Sequence, residues 1–250
     1  MCELFGLSSN RPVPPGELLC RFGARGGNTA DNPDGWGLAT LNDSAFRLTK
    51  EPNAAARSAR FQQLCGRTHS SLILGHVRKA NPPTAKILEN THPFRRVCCG
   101  REWVFAHNGI IPDTIALGGP GATTLCALSG DTDSEHAFCV VLDRIATAFS
   151  SSAAVQGHDR LHSLADTRAT FWLDAATETV VIATEPLTED SGWLAFEPGE
   201  LRVYRAGRQI ARFITHPRAM APVPDGDLPR TKTIVLDTGR HAPLKNGASP

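Results

Sequence analysis

The chain has 250 residues, 41% hydrophobic and 20% charged, enough to bury a substantial core as one large domain or two small ones. Its 26 basic and 25 acidic residues leave a formal charge of +1, and no Lys/Arg stripe stands out, which argues against a nucleic-acid or anionic-membrane partner. No apolar stretch approaches the ~18 residues of a membrane span, and no signal peptide opens the chain, so a cytoplasmic location is expected.

The run ELFGLSS (3–9) ends in turn residues and reads as a short buried strand. Residues 11–35, RPVPPGELL through RGGNTADNPDG, are rich in Pro, Gly and Asn and read as loop. GWGLATL (35–41) and AFRLTK (45–50) read as strands joined by Asn42-Asp43-Ser44, and AAARSARFQQLC (54–65) carries good helix formers. SLILGHVRKA (71–80) and EWVFAHNG (102–109) start apolar and turn polar, as central strands entering a site would.

SEHAFCVVLDRIATAF (134–149) predicts a helix with Ala137, Phe138, Val141, Leu142, Ile145, Ala148 and Phe149 on one face. Thr132-x-x-Glu135 at its start is a capping-box pattern. ATFWLD (169–174) and TVVIATE (179–185) predict a hairpin, as do WLAFEP (193–198) and LRVYRAG (201–207) with the following QIARFI (209–214). From Thr215 the chain turns Pro-rich. Residues 1–215 therefore read as one layered α+β domain, and 216–250 as an extension packed on the surface or partly disordered.

Seven cysteines (2, 20, 65, 98, 99, 126 and 139) are an odd number without framework spacing, which predicts reduced thiols. The vicinal pair Cys98-Cys99 reads as strand cysteines. His76, His92 and His107 fit no metal-ligand spacing and have no companion Cys pair, so they read as core or hydrogen-bonded histidines.

Three polar stretches interrupt or follow strongly apolar sequence: Gly75-His76-Val77-Arg78, Ala106-His107-Asn108-Gly109 and Gly130-Asp131-Thr132-Asp133-Ser134-Glu135. Groups at strand ends and helix starts are held by rigid backbone, where functional side chains are positioned best. Arg78 can grip a carboxylate through two parallel hydrogen bonds or form a structural salt bridge. Asp133 can cap its helix or face a ligand amine, although Thr132 already supplies a cap. Asn108-Gly109 can form a hairpin turn, or an oxyanion hole built from an Asn side-chain N–H and a backbone N–H. Cys2 can be a buried strand cysteine. If Met1 is removed, it can instead be a nucleophile whose own α-amino group serves as base.

Together these stretches resemble the class II glutamine amidotransferases, a group of N-terminal-nucleophile hydrolases, and most closely their stand-alone members without a synthase domain. The matching residues are Met1-Cys2-Glu3-Leu4-Phe5-Gly6, Asn32-Pro33-Asp34-Gly35-Trp36-Gly37, Gly75-His76-Val77-Arg78-Lys79-Ala80-Asn81 and Glu89-Asn90-Thr91-His92-Pro93-Phe94, then Ala106-His107-Asn108-Gly109 and Asp131-Thr132-Asp133-Ser134-Glu135. Weaker similarity continues to about residue 205.

The resemblance implies a four-layer αββα sandwich of two antiparallel sheets, with Cys2 as the nucleophile. It puts the oxyanion hole on Asn108 and Gly109, the α-carboxylate clamp on Arg78 and the α-amino anchor on Asp133. Asn81 and His92 fall in segments that line the glutamine pocket. No cofactor or metal is implied. The implied partner is glutamine or another γ-glutamyl small molecule, with a separate ammonia-accepting enzyme and a homo-oligomer left open.

Synthase-linked relatives carry Trp-Ala-Thr-His after the clamp arginine and Gly after the nucleophile, where this chain has Lys79-Ala80-Asn81-Pro82 and Glu3. Both departures fit the stand-alone subgroup. Three functions follow as expectations: a glutaminase-type hydrolase, a hydrolase of another γ-glutamyl amide or peptide, and a non-catalytic glutamine-sensing subunit.

Overall fold

We describe a computed structural model, which covers residues 1–81, 85–111, 126–150, 160–165, 170–174, 176–214 and 232–237. The apolar run after Cys2 becomes β1 (Glu3–Val13), followed by α1 (Glu17–Ala24), β2 (Trp36–Asn42) and β3 (Ala45–Glu51). Then come α2 (Ala59–Arg67), β4 (Ser70–Val77), β5 (Phe94–Cys98), β6 (Arg101–Asn108) and α3 (Asp133–Ser150). The remaining strands are β7 (Arg160–Ala165), β8 (Thr170–Asp174), β9 (Thr179–Ala183), β10 (Leu194–Ala195), β11 (Glu200–Arg205), β12 (Arg208–Ile214) and β13 (Lys232–Asp237).

A seven-stranded sheet runs β10-β8-β9-β1-β4-β2-β3, and a six-stranded sheet runs β12-β11-β7-β13-β6-β5, with every pairing antiparallel. Side chains alternate across a strand, and β1 shows why its apolar run is continuous. Leu4 faces the second sheet, in a core with Leu72, Leu74, Val104 and Ala106. Phe5 and Leu7 face the other way, against Leu19 and Phe22 of α1 and Phe61 of α2. On the far face of the second sheet, Phe94, Trp103 and Phe105 pack against Phe138 and Leu142 of α3. Three apolar layers between four structural layers make an αββα sandwich, as the resemblance implied.

Several local expectations change. The stretch read as loop contains α1, whose Leu19 and Phe22 are fully buried; the Pro14-Pro15-Gly16 lead-in masks a helix that tertiary packing sustains. The helix expected over 54–65 splits at Ser58, whose hydroxyl caps α2 by accepting from the Phe61 N–H at 3.0 Å. Val141 is exposed on α3, because only Phe138, Leu142, Ile145 and Ala146 reach the sheet; the side chains of Ala148 and Phe149 lie outside the described residues.

The strand at 194–195 pairs with β8, not with β11; the hairpin is β11–β12, turned by Ala206 and Gly207, both at positive φ. Lys232–Asp237, inside the segment read as a surface extension, pairs between β6 and β7, as its Thr-Ile-Val-Leu content favours.

The cysteines are also corrected. Cys20 of α1 is bonded to Cys65 of α2, and Cys126 to Cys139 of α3, with Cα–Cα distances of 5.3 and 5.8 Å. Their partners are chosen by which elements pack together, 45 and 13 residues apart, so sequence spacing does not display them. Cys98 ends β5 as read, whereas Cys99 sits in the following turn at φ 56°. Among the described residues no helix is long and apolar enough to cross a membrane.

Candidate active site

The site forms where the antiparallel ladder between β1 and β4 runs out. Glu3 is the first residue of β1 and pairs with Val77, the last residue of β4, so Cys2 comes to lie beside the next residues of the β4 strand, Arg78 and Lys79. The Lys79 N–H donates to Cys2 Sγ at 3.2 Å, and the thiol can donate to the Lys79 carbonyl at 3.3 Å. Burial pushes the Cys2 thiol up from its ordinary value, while the Lys79 N–H, the N-terminal ammonium and Arg78 partly oppose that rise.

The turn after β4 is anchored from the Asn32-Pro33-Asp34-Gly35 stretch. The Arg78 N–H donates to the Gly35 carbonyl at 2.8 Å, the Asp34 N–H donates to the Arg78 carbonyl at 2.9 Å, and the Ala80 N–H donates to Asp34 Oδ2 at 2.9 Å. Burial raises the Asp34 carboxyl, but Lys86 at 2.6 Å and the Ala80 N–H more than offset it, so the group stays ionised and keeps the turn. The Arg78 side chain is buried and donates to the Ala85 carbonyl at 3.0 Å. On the other flank Arg25 and Asn32 both reach the Glu3 carboxylate, which fixes the start of β1.

Gly37 serves the site by lacking a side chain. A Cβ there would lie 2.1 Å from the carbonyl oxygen of His92, so β2 can carry the His92-Pro93 segment only through glycine. That segment is pinned further by a reciprocal pair. Asn90 donates to Asp131 Oδ1 at 2.6 Å, and the Asp131 N–H returns a bond to Asn90 Oδ1 at 3.0 Å.

From the second sheet, β6 ends at Asn108, whose side-chain amide donates to the Cys2 carbonyl. Gly109 follows at φ 140°, a region that favours glycine. The strands paired with β6 are β5 and β13, neither of which follows directly after Gly109, so Asn108-Gly109 is not a two-residue hairpin turn.

The N-terminus of α3 closes the site. Thr132 caps the helix, its hydroxyl accepting from the Glu135 N–H at 3.2 Å. Glu135 reaches back past the cap to the N–H groups of Ser129 and Gly130 and pairs with Arg96. Asp133 is thereby released from capping: Oδ2 accepts from the Ile111 N–H at 2.8 Å and Oδ1 from the Ser134 hydroxyl at 3.1 Å. Ser134 in turn lies 3.0 Å from His107 Nδ1. Because Ser134 gives its proton to Asp133, His107 donates from Nδ1, and its Nε2 carries the lone pair.

Cys2, Arg78, Asn81, His92, Gly109 and Asp133 line one cavity of about 410 Å³; Asn108 stands directly behind Cys2. The cavity is therefore rimmed by a thiol, a guanidinium, a carboxylate and a glycine N–H. His92 and His107 line its wall and His76 lies outside the lining; all three are buried, and His76 and His92 stack at 4.3 Å between ring centroids. Among the described residues no cluster of His, Cys, Asp and Glu is arranged to hold a metal ion. Sequence reading missed the Lys79 backbone, Asp34 as the holder of the turn, and the His107–Ser134–Asp133 chain. Lys79, Asp34, His107, Ser134 and Asp133 all stand in the quoted motifs, but those motifs do not display these contacts.

The αββα sandwich with a cysteine at the head of its first strand is the architecture of the N-terminal-nucleophile hydrolases. A family profile described as glutamine amidotransferases class-II matches residues 1–172 and 170–225. The chain belongs to that family. It is 30% identical to YafJ of Escherichia coli, described as a candidate glutamine amidotransferase, across 84% of this chain and 100% of the relative. It is 28% identical to the gamma-glutamyl-hercynylcysteine sulfoxide hydrolase of Mycobacterium tuberculosis, across 65% of this chain and 71% of that protein. A crystal structure of a predicted glutamine amidotransferase from Pseudomonas aeruginosa superposes with a TM-score of 0.55 at 26% identity, covering 84% of this chain and all of that one. The glutamine phosphoribosylpyrophosphate amidotransferase of Bacillus subtilis shares the fold at a TM-score of 0.57 and 16% identity, this chain spanning 49% of its length.

Proposed function

We propose that this protein is a stand-alone glutaminase-type hydrolase in which Cys2, freed by loss of Met1, attacks the γ-amide of glutamine. The observation that carries the reading is the single cavity rimmed by Cys2, Arg78, Gly109 and Asp133, with the Asn108 amide against the nucleophile's own carbonyl. Arg78 holds the substrate α-carboxylate as a guanidinium fork, and Asp133 holds the α-ammonium; Asn81 and His92 line the walls. Met1 is exposed at 66%, so its peptide bond is open to removal.

The α-amino group of Cys2 takes the thiol proton, and the thiolate adds to the γ-carbonyl carbon. The oxyanion is met by the Gly109 N–H and by the second N–H of Asn108, whose first is used by Cys2. The oxyanion collapses with cleavage of the C–N bond, and the α-ammonium returns its proton to the departing nitrogen, giving ammonia and a γ-glutamyl thioester. Water then adds to the thioester with the amine again as base. Glutamate leaves, and the thiol is restored.

One observation favours a bulkier substrate within the same chemistry. A cavity of about 410 Å³ falls in the range that takes drug-sized ligands and exceeds the needs of a bare amino acid. The Mycobacterium tuberculosis relative carries a name that fits this alternative.

The test is ammonia or amine release from glutamine and a panel of γ-glutamyl amides and peptides, with intact mass of the purified chain and of its adduct with a glutamine-like chloroketone. The expected result is loss of Met1, label on Cys2, and turnover abolished by Cys2→Ala. Turnover that survives Cys2→Ala, or label elsewhere, overturns the mechanism. Glutamine binding without turnover of any panel member selects the sensing role. Preference for a γ-glutamyl peptide over glutamine in kcat/KM selects the bulkier substrate.

A further inference from the structure

A second cavity, of about 350 Å³, opens at the other end of the first sheet, where β2, β3 and the C-terminal turn of α2 meet. It lies at the start of β4, whereas the site described above lies beyond its end. The eight residues of β4 put the two on the order of 25 Å apart.

Its lining includes Arg47 from β3, Arg60 and Arg67 from α2, and His69, and it contains no carboxylate. Arg60 and Arg67 are seven residues apart, two helical turns, and so share one face of α2. Some arginines elsewhere in the structure find acids: Arg21 pairs with Glu17, Arg25 with Glu3, Arg96 with Glu135 and Arg208 with Glu178. Arg47, Arg60 and Arg67 make no ion pair among the described residues, though they are gathered around one hollow.

The carbonyl end of α2 faces this region, but its partial charge of roughly half an electron is outweighed by three guanidinium charges.

We propose that this cavity binds a small phosphate-bearing metabolite, its phosphate groups gripped by Arg47, Arg60 and Arg67. Guanidinium forks match phosphate oxygens two at a time. A lone carboxylate would use one fork and leave the others unmet, and orthophosphate alone would leave most of the volume empty. The ligand is therefore a phosphate ester or diphosphate with an organic portion. Nothing in this inference depends on the chemistry at Cys2.

The test is calorimetric titration of the full chain with inorganic diphosphate, orthophosphate, sulfate and citrate at matched ionic strength. Diphosphate should bind saturably at one site and more tightly than the other three anions. Arg60→Gln/Arg67→Gln should weaken it about ten-fold or more. The charge-matched control Arg11→Gln/Arg205→Gln, with both residues exposed and away from the cavity, should bind as the parent does. Arg47→Gln serves as the reading variant should the double substitution fail to fold. The proposal is overturned if no anion binds saturably, if sulfate or citrate matches diphosphate, or if the control pair weakens binding as much as the cavity pair.

Discussion

At the scale of single residues, Cys2 and Asn108 are tied to their surroundings in different ways. Among the described residues the Cys2 thiol hydrogen-bonds only to backbone, that of Lys79, so these bonds do not depend on which side chain stands at position 79. Asn108 is different, because its amide is the contact itself. Asn108→Ala is expected to lower kcat by about 10²–10³ with a much smaller change in KM, since an oxyanion donor acts chiefly in the transition state. Steady-state assay of ammonia release measures it, and a change confined to KM would contradict the role. The identities of Cys2, Arg78, Asn108 and Asp133 were legible in the sequence because each stands in a short motif. The contact between Asn108 and Cys2 was not, because it joins residues 106 positions apart across two sheets.

At the scale of elements, the site is a meeting of ends: the head of β1, the tails of β4 and β6, and the first turn of α3. The capping box at Thr132 was read from sequence, and the helix starts there. What the pattern could not display is that Glu135 reaches past the cap to Ser129 and Gly130, leaving Asp133 to be held by Ile111 and Ser134. Ser134 is thus a positioning residue that ties Asp133 to His107 on β6. Ser134→Ala should raise KM for glutamine about three- to ten-fold, the worth of one neutral hydrogen bond, with kcat nearly unchanged. An equal fall in kcat and kcat/KM would show that Ser134 acts in the chemical step instead. The α2 helix gives the complementary case. Its arginines were visible one by one, but their gathering with Arg47 depends on β3 folding beside them, so the overall charge of +1 concealed a basic hollow.

At the scale of the whole molecule, the sandwich buries three histidines at the site. Burial pushes His76 down to about 3, helped by Arg78, and pushes His107 down to about 4 despite Asp133; His92 also falls well below its ordinary value, again chiefly through burial. Each stays neutral in the folded chain, whereas the unfolded chain takes up protons near pH 6.5. Stability is therefore full above that pH and declines as the pH falls toward 4. At pH 5 the loss is about 2 kcal/mol for each of His76 and His107. Urea unfolding at pH 7 and pH 5 reads this directly. His76→Phe should flatten the dependence by roughly half of that combined loss, and identical midpoints at the two pH values would refute it. The period-2 and period-3.6 patterns announced most strands and the long helix. They missed α1, β7 and β13, whose short, mixed sequences take their form from the sheets and layers that receive them.

The position of β13 carries a consequence for the order of assembly. It pairs on both edges, with Lys232 opposite Asn108 and the strand wedged between β6 and β7. Cys2 is thus synthesised long before the strand that joins the two halves of the sheet behind Asn108. Until that strand is made, Asn108 lacks its pairing partner on one edge of β6. The surroundings of Cys2 described above are therefore complete only once β13 has paired between β6 and β7, so an element far along the chain is needed to finish the site at the head of β1.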